Sequence, residues 1–548
     1  MNAWWTLGSF LLFTAAVAVI TWCKTRREDV KSETGFFLAG RSLTWPVIAG
    51  SLLLTNLSTE QLVGLNGDAF SAGLSVMVWE VMAVLALLGM ALFFLPRFLK
   101  SGIATVPQML EIRFDRTTKL ICNLIFLAAY ATILLPIILY TGAQGLLGIL
   151  DVRSLTGIES QTALVWLMVW VVGLIGSAYA LFGGLRSVAV SDLLNGLGLL
   201  IGGFMITNFG FRLLGDGQGA VHGYDVFRTE MADRLKSIGG PDAPVPFWEI
   251  FTGVTVINFF YWCTNQQIIQ RTLAARNLKE GQKGVLCCAF LKLLGPLYLV
   301  LPGMMAYYYF VVLGKSPELR SVEAYGTLVR TVLPPWLAGF FCAVMVGAIL
   351  SSFNSALNST CTLFSLDLYK GCLRRKATEL EVVRSGKYFG VCFAIISMCV
   401  APLLIGKDSI FTYLQTMNGI YFIPIFSVVL MGLLNRRVPA AAAKTALIGG
   451  CVFIALCYFV LPKWDIDLCA KWGGNYHYLG IVFVLLLALM QIWSMVAPRR
   501  EVWEQQPSGD VDLTPWRFVW PVAIVIFIMI VAIYWCCGDF SVLCPAQQ

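Results

Sequence analysis

Apolar segments long enough to cross a lipid bilayer recur through the whole sequence and decide its structural class. About fourteen windows of roughly 20 apolar residues can be counted. They cover 3–22, 44–71, 74–98, 120–150, 161–182, 187–214, 246–270, 284–312, 335–369, 385–404, 409–433, 440–460, 478–496 and 516–536. The composition agrees, because 58% of the residues are hydrophobic and 13% are charged, whereas a soluble domain carries about a quarter charged residues. The sequence therefore predicts an all-α polytopic membrane protein with about 14 transmembrane helices.

The first apolar segment, 3–22, reads as a retained helix and not as a cleaved signal. Positive residues such as Lys24 and Arg26 follow it instead of preceding it, and no small-residue cleavage site follows. With the amino terminus outside, most of the 39 Lys and Arg residues fall in cytoplasmic loops, and their densest clusters lie at 24–41, 97–119, 271–283 and 370–387. An even number of spans then places both termini on the extracytoplasmic side of the cell membrane. The net charge of +8 is explained by these loops, so we expect no nucleic-acid partner.

A run of polar side chains interrupts the second span within residues 51–65. The run contains Thr55, Asn56, Ser58, Thr59, Glu60 and Gln61. Polar groups at membrane depth cost several kcal/mol unless they face protein, water or a ligand. One interpretation is a helix whose polar face packs on its neighbours. The other is a helix that breaks here, which frees backbone carbonyls for a cation and side chains for a polar solute.

A second polar interruption lies in the span 246–270, between Asn258 and Gln267. When the second to eleventh spans are taken as two groups of five, an interrupted span opens each group. This arrangement is typical of an inverted repeat with a binding site at the membrane midplane. We therefore predict one transport domain over 1–548. It would have repeats at 44–214 and 246–433, an extra helix at 3–22 and extra helices at 440–536.

Four ionisable residues lie well inside predicted spans: Glu60, Glu80, Asp192 and Lys292. Such residues are costly unless they are paired or face a cavity. Glu80 and Lys292 either form a buried ion pair that pins two helices or line a solute site. Asp192 follows Arg186 closely, so a local interfacial role competes with cation binding. Glu60 is left without a predicted ligand role.

Hydroxyl and amide side chains share one helical face within residues 348–359 and just beyond. The face consists of Ser351, Ser352, Ser355, Asn358, Ser359 and Thr362, at the spacing of a single helix side. A packing seam of small residues explains this pattern. A site for a group 1 cation also explains it, because hard cations prefer oxygen ligands. The sequence contains no nucleophile–base pair, phosphate-binding loop or zinc spacing, so we do not expect an enzyme.

Several longer stretches resemble the sodium:solute symporter family, and within it the bacterial sodium/galactose branch and the sodium/glucose cotransporters. The stretches are GFFLAGRSL at 35–43, SLLLTNLSTEQLVG at 51–64, GGLRSVAVSD at 183–192, YWCTNQQIIQRTLAARN at 261–277 and SSFNSALNST at 351–360. The resemblance implies a LeuT-like core of ten helices in two inverted repeats, with sodium as the coupling ion.

The resemblance also implies which residues bind solute and sodium. Sugar contacts fall on Gln61, Glu80, Asn258, Lys292 and Gln415, and Tyr261 matches the aromatic residue that stacks on the sugar. Asn56 is added by our own hypothesis that sodium binding positions it for the sugar. Sodium ligands fall on the backbone carbonyls of Leu54, Leu57 and Ala348 and on the hydroxyls of Ser351 and Ser352. A candidate second sodium site or ion path falls on Asp192 and Ser355.

The chain departs from the family pattern at several positions. Trp79 and Ala83 stand where the galactose branch has a tyrosine and a serine, and Asp68 adds a charge of unassigned role. Asn354 replaces a serine of the second sodium site that some sialic acid transporters have. Residues 120–152 contain no Arg or Lys, which argues against an acidic sugar bound as in those transporters.

Together these features predict a sodium-coupled symporter that imports a galactose- or glucose-like hexose. The oligomeric state is left open. One alternative is a symporter of the same architecture for a non-sugar solute such as a vitamin, carboxylate or amino acid. The other is a membrane sensor or channel that does not transport, although only about a dozen residues follow the last span, which is short for an output domain.

Overall fold

The computed structural model describes residues 3–26, 32–57, 60–149, 152–241, 243–406 and 410–543. Helices dominate this part of the chain, and its only strand-like pairing is an isolated bridge between Leu43 and Ala275. Ser58, Thr59 and the Glu60 side chain, which belong to the predicted polar run, lie outside the described part.

The helices of the first half begin with a separate amino-terminal helix. In order they are Ala3–Thr25, Glu33–Leu38, Trp45–Asn56, Glu60–Leu65, Asn66–Ala72, Val78–Gly89, Met90–Phe94, Leu95–Lys100, Val106–Arg113, Arg116–Ala129, Tyr130–Leu134, Leu135–Ile149, Val152–Thr156 and Gln161–Leu214. The last of these contains Gly184 with φ 63° and ψ 178°, a conformation that favours glycine. It is therefore two helices joined at a bend.

The second half and the carboxyl-terminal part contain the remaining helices. In order they are Ala220–Glu230, Gly253–Cys263, Gln266–Leu273, Leu278–Leu293, Pro296–Val300, Leu301–Ala306, Tyr307–Val312, Ser321–Val332, Pro335–Thr362, Leu363–Leu373, Glu379–Val400, Ile410–Leu434, Ala440–Phe459, Leu468–Lys471, Asn475–Val496 and Val519–Cys536. Short 3₁₀ turns connect several of them.

Both predicted interruptions are breaks in helices. Helix Trp45–Asn56 ends at Leu57, whose φ of −75° and ψ of 63° are not helical, and helical structure resumes at Glu60–Leu65. We call this pair, continued by Asn66–Ala72, the first broken helix. Gly253–Cys263 and Gln266–Leu273 are separated by Thr264 and Asn265, and we call them the second broken helix.

The number of membrane-length helices follows from these breaks. Among the described residues, 11 helices are long and apolar enough to cross a membrane, and a pair bent by 47° at Leu278–Leu293 and Pro296–Val312 makes a twelfth. The second broken helix is divided into pieces too short to qualify. Gln61–Lys100 is counted as one helix that combines the end of the predicted span 44–71 with the span 74–98, although Gly73 turns the chain between them with φ 80°. Trp45–Asn56, the first part of the span 44–71, has 12 residues and is too short to be counted. Every predicted span nevertheless coincides with described helical structure.

The helix that carries the hydroxyl face, Pro335–Thr362, lies at the centre of the packing. It contacts Gln161–Leu214 and the amino-terminal helix Ala3–Thr25 most extensively, and it also contacts Trp45–Asn56. Thr6 Oγ1 donates to Pro335 O at 3.0 Å, which fixes the amino-terminal helix to it. The predicted sodium face is therefore buried among core helices.

An extended segment, 497–518, joins the last two long helices and lies along the ends of others. Gln505 Nε2 donates to Arg97 O at 2.6 Å. Leu278 N donates to Asp512 O at 3.0 Å. The segment therefore connects helix Leu95–Lys100 to the start of helix Leu278–Leu293.

Candidate functional site

Lys292, Glu80 and Asn56 form a buried cluster that joins three helices. Lys292 Nζ donates to Glu80 Oε1 and to Asn56 Oδ1, each at 2.5 Å. The Lys292 and Glu80 side chains are 1% and 0% exposed, and charges so far from water are tolerated when they are paired and hydrogen-bonded. The cluster connects Leu278–Leu293 to the end of Trp45–Asn56. The ion pair expected as one alternative is therefore present.

The space around this ion pair is closely filled. A Cβ atom at Gly295 would lie 2.5 Å from Glu80 Oε2, so a larger residue would displace the carboxylate. Lys292 Nζ lies 5.7 Å from the centre of the Trp262 ring, within the range of a cation–π interaction. Together these neighbours hold the carboxylate and the ammonium group in one arrangement.

The other four predicted solute-binding residues lie on neighbouring helices. Gln61 is 9% exposed, and its amide oxygen has no hydrogen-bond partner among the described residues. The Asn258 amide is buried and bonds one turn back at 3.0 Å, and Tyr261 is half-buried. Gln415 lies on Ile410–Leu434, which packs against the second broken helix. The structure thus brings three of the seven residues into direct contact and places the remaining four on helices of the same packed bundle.

The predicted sodium region brings the first broken helix against the hydroxyl face. Ser352 Oγ donates to the Thr55 carbonyl at 3.3 Å. The hydroxyls of Thr55 and Ser355 lie 3.4 Å apart. All three residues are at most 1% exposed. The two helices are therefore connected by oxygen-rich contacts at the position where the sequence predicts the ion.

The other predicted sodium ligands lie in the same region. Leu54, Leu57 and Ala348 are fully buried, and Leu57 is the residue at which helical geometry ends. The Ser351 hydroxyl is buried and lies near the Asp192 carboxylate. A buried hydroxyl that faces a carboxylate fits a cation ligand, because its oxygen lone pairs can coordinate the ion.

Arg271 lies beside these residues, and sequence reasoning missed it. The side chain is fully buried, and its Nε donates to Ser51 Oγ at 3.2 Å. Its Nη2 atom donates to Ser355 Oγ and lies 3.9 Å from Asp192 Oδ2. Ser51 in turn donates to Asp192 at 2.7 Å. The guanidinium group therefore compensates the charge of Asp192.

Two interpretations made from the sequence change with this finding. The basic cluster 271–283 was expected in a cytoplasmic loop, which is wrong for Arg271, because the second broken helix continues to Leu273. Arg186, considered as a local neighbour of Asp192, donates to Ser42 Oγ at 3.2 Å. The available signal was spacing, since Gln267 and Arg271 are four residues apart and share one helical face.

The departures from the family pattern lie at the edges of this region. The Trp79 ring packs edge-on against Tyr476, with centroids 5.4 Å apart, so a carboxyl-terminal helix contributes to the surroundings of Glu80. Asp68 is half-buried in Asn66–Ala72. The Asn354 side chain is buried, and neither of its amide atoms has a partner in the described residues.

Comparison with known proteins identifies the family. The model of the sodium:solute symporter family matches residues 36–450, most of the chain. The chain belongs to the sodium:solute symporter family. This symporter is therefore a multi-pass membrane protein and a secondary transporter, not an enzyme, and sodium is its coupling ion.

Two curated relatives extend the match over most of their length. The symporter is 44% identical over 538 residues to an uncharacterized symporter, YidK, of Escherichia coli (strain K12), covering 97% of this chain and 91% of the relative. It is 31% identical over 477 residues to a sodium/glucose cotransporter of Vibrio parahaemolyticus, covering 82% and 84%.

A solved structure shows the same fold. The symporter superposes on a sodium-coupled sialic acid symporter with a TM-score of 0.75 and 19% identity, covering 90% of this chain and 98% of that one. At this identity the likeness establishes the fold alone. The prediction of a LeuT-like all-helical transporter is therefore confirmed.

Proposed function

We propose that this symporter imports a hexose-like monosaccharide, driven by sodium, through alternating access. The observation that supports this most is that neighbouring residues at one helix end contact both predicted sites. The Thr55 carbonyl accepts from Ser352 of the sodium face, and the Asn56 amide oxygen accepts from Lys292 of the solute cluster. A movement of this helix end would change both sites together.

The proposed solute site suits a neutral polyol. Its side chains are Gln61, Glu80, Asn258, Lys292 and Gln415, with Asn56 beside them and Tyr261 as the stacking ring. Amides and paired charges offer donors and acceptors to ring hydroxyls. Such a site rejects analogues that lack a hydroxyl, because its buried polar groups would be left unpaired. The name of the Vibrio relative, a sodium/glucose cotransporter, agrees with this substrate class.

The proposed sodium site uses the carbonyls of Leu54, Leu57 and Ala348 and the hydroxyls of Ser351 and Ser352. Sodium bound there would hold the first broken helix against Pro335–Thr362 and so position Asn56 and Gln61. Each ligand would then increase the affinity for the other. One positive charge moving through 100 mV contributes about 2.3 kcal/mol, to which the sodium gradient adds.

For Asp192 and Ser355 we favour a role in the ion path over a second sodium site. The Arg271 guanidinium already contacts both side chains, so its positive charge occupies the place where a second ion would bind.

For the architecture we propose repeats at 44–214 and 246–433, with both termini on the extracytoplasmic side of the cell membrane. These follow from the paired breaks and from the distribution of Lys and Arg.

Uptake by purified protein in lipid vesicles tests the proposal. A panel of radiolabelled monosaccharides is offered with an inward sodium gradient and with the same gradient of choline. We expect at least one hexose to accumulate with the sodium gradient but not with the choline gradient. An inside-negative membrane potential is expected to stimulate this uptake. Accumulation that is equal in choline contradicts sodium coupling.

The same vesicles separate the alternatives. Sodium-driven uptake of a carboxylate, vitamin or amino acid, with no sugar taken up, supports a non-sugar symporter. Sodium flux that is independent of every solute supports a channel.

A further inference from the structure

The break in the second broken helix is held by the side chains of Tyr130 and Asn265 and by the backbone N–H of Gln267. Tyr130 donates its hydroxyl to Asn265 Oδ1. Gln267 N donates to the Tyr130 hydroxyl at 3.1 Å and to Asn265 Oδ1 at 3.2 Å. These bonds cap the first turn of Gln266–Leu273. The geometry of the break is therefore fixed at Gln267.

Gln267 also reaches the proposed sodium site. Its side-chain Nε2 donates to the backbone carbonyl of Ser352 at 3.2 Å, and the Ser352 hydroxyl is one of the proposed sodium ligands. The residue thus contacts the hydroxyl face with its side chain and the break with its backbone. On the other side of the break, Gly253–Cys263 carries Asn258 and Tyr261, two proposed solute contacts.

Packing alone does not explain why a residue with an amide side chain occupies position 267. The residue is 2% exposed, and its Oε1 atom has no hydrogen-bond partner in the described part of the chain. A buried, unpaired acceptor destabilises the folded protein, whereas methionine would fill a similar volume without that cost. The bond from Nε2 to Ser352 is the contribution that methionine could not make.

We propose that Gln267 is a positioning residue that transmits sodium occupancy to the solute-binding half of the second broken helix. Sodium would hold Ser352 in place, and the Ser352 carbonyl would hold the side chain of Gln267. Gln267 would in turn hold the geometry of the break, which sets the positions of Asn258 and Tyr261. This inference rests on the proposed function, and it adds a second route of coupling beside the one through Thr55 and Asn56.

The expected size follows from one buried neutral hydrogen bond. Such a bond contributes enough to change an equilibrium by about threefold to tenfold. The factor by which sodium increases sugar affinity is reciprocal with the factor by which sugar increases sodium affinity. Loss of the bond is therefore expected to reduce both factors by the same amount.

The test compares Gln267→Met with Gln266→Met as a matched control. Gln266 precedes Gln267 in the same helix, but its side chain bonds to Val106 N and Ala104 O at 3.0 Å, away from the sodium face. Apparent sugar affinity is measured in vesicles at low and at saturating sodium, and thermal unfolding is recorded for each variant.

We expect Gln267→Met to lower the ratio of sugar affinity at saturating sodium to sugar affinity at low sodium by about threefold to tenfold. Sodium affinity at saturating sugar is expected to fall by the same factor. Gln266→Met is expected to keep the wild-type ratio even where its thermal stability falls. An unchanged ratio in Gln267→Met, or an equal loss in both variants, overturns the inference.

A second variant keeps the test decisive if Gln267→Met does not fold. Tyr130→Phe removes the hydroxyl that supports the break and leaves the side chain of Gln267 in place, so a reduced ratio is again expected and an unchanged ratio contradicts the inference. Failure of the proposed function is distinguishable, because it would be seen in the wild-type protein as sugar uptake without sodium dependence.

Discussion

Breaking the buried ion pair between Lys292 and Glu80 is the most informative single perturbation. Lys292 Nζ lies 2.5 Å from Glu80 Oε2, and the two side chains are 1% and 0% exposed. At an effective dielectric constant of about 20, two unit charges at this distance attract by about 7 kcal/mol. Much of that attraction offsets the cost of removing both charges from water. Removing one partner alone therefore exposes the full cost of the other.

We expect Lys292→Met to destabilise the protein by about 3–5 kcal/mol, because an uncompensated carboxylate remains beside Gly295 and Asn56. The double variant Lys292→Met/Glu80→Gln removes both charges and is expected to recover most of that loss. Unfolding of detergent-purified protein can be followed by the fluorescence of its 17 tryptophans. Neither variant is expected to bind sugar, since both lack the ammonium donor of Lys292.

The comparison separates a structural role from a functional one. If Lys292 and Glu80 only hold helices together, the double variant regains stability and keeps the wild-type sugar specificity, which refutes their place in the solute site. If Lys292→Met unfolds at the wild-type temperature, the reasoning about buried charge is wrong. A stable double variant that no longer binds sugar supports both parts.

Three further predictions concern the sodium site, the solute site and the packing around them. Ser352→Ala is expected to raise the sodium concentration for half-maximal uptake at least about tenfold, the equivalent of about 1.4 kcal/mol, with normal membrane insertion; unchanged sodium dependence removes Ser352 from the site. Gln61→Ala and Asn258→Ala are each expected to abolish sugar binding by folded protein in equilibrium binding assays, and normal binding by both contradicts the pocket. Gly295→Ala places a methyl group 2.5 Å from Glu80 Oε2 and is expected to lower thermal stability by about 1–3 kcal/mol. Gly449→Ala, which has open space around its Cβ position, serves as the control, and equal unfolding temperatures would refute the packing argument.

The helix breaks could be predicted from sequence because polar residues in an apolar span leave few alternatives. The run from Thr55 to Gln61 and the run from Asn258 to Gln267 each indicated where a helix is interrupted. The structure locates both breaks within those runs, at Leu57 and at Thr264–Asn265. The cost of unsatisfied polar groups located these positions, although for the first run it left a continuous helix with a packed polar face as an alternative.

The pairing of charges was harder to predict because it depends on tertiary packing. Lys292 and Glu80 are 212 residues apart in sequence, and the sequence left an ion pair and a solute-lining role as alternatives. Arg271 was assigned to a basic loop because it begins a stretch of positive residues. Only the fold shows that it turns inward to Asp192. A single sequence shows where charges lie along the chain, but it does not show which charges meet.

The extended segment 497–518 has a mechanical consequence for alternating access. It is hydrogen-bonded to the end of one group of helices at Arg97 and to the start of another at Leu278. An opening that moves these two helix ends apart must lengthen the segment or break one of its attachments. The two hydrogen bonds therefore join these helix ends through one stretch of chain, and any motion that separates the helix ends acts on that stretch.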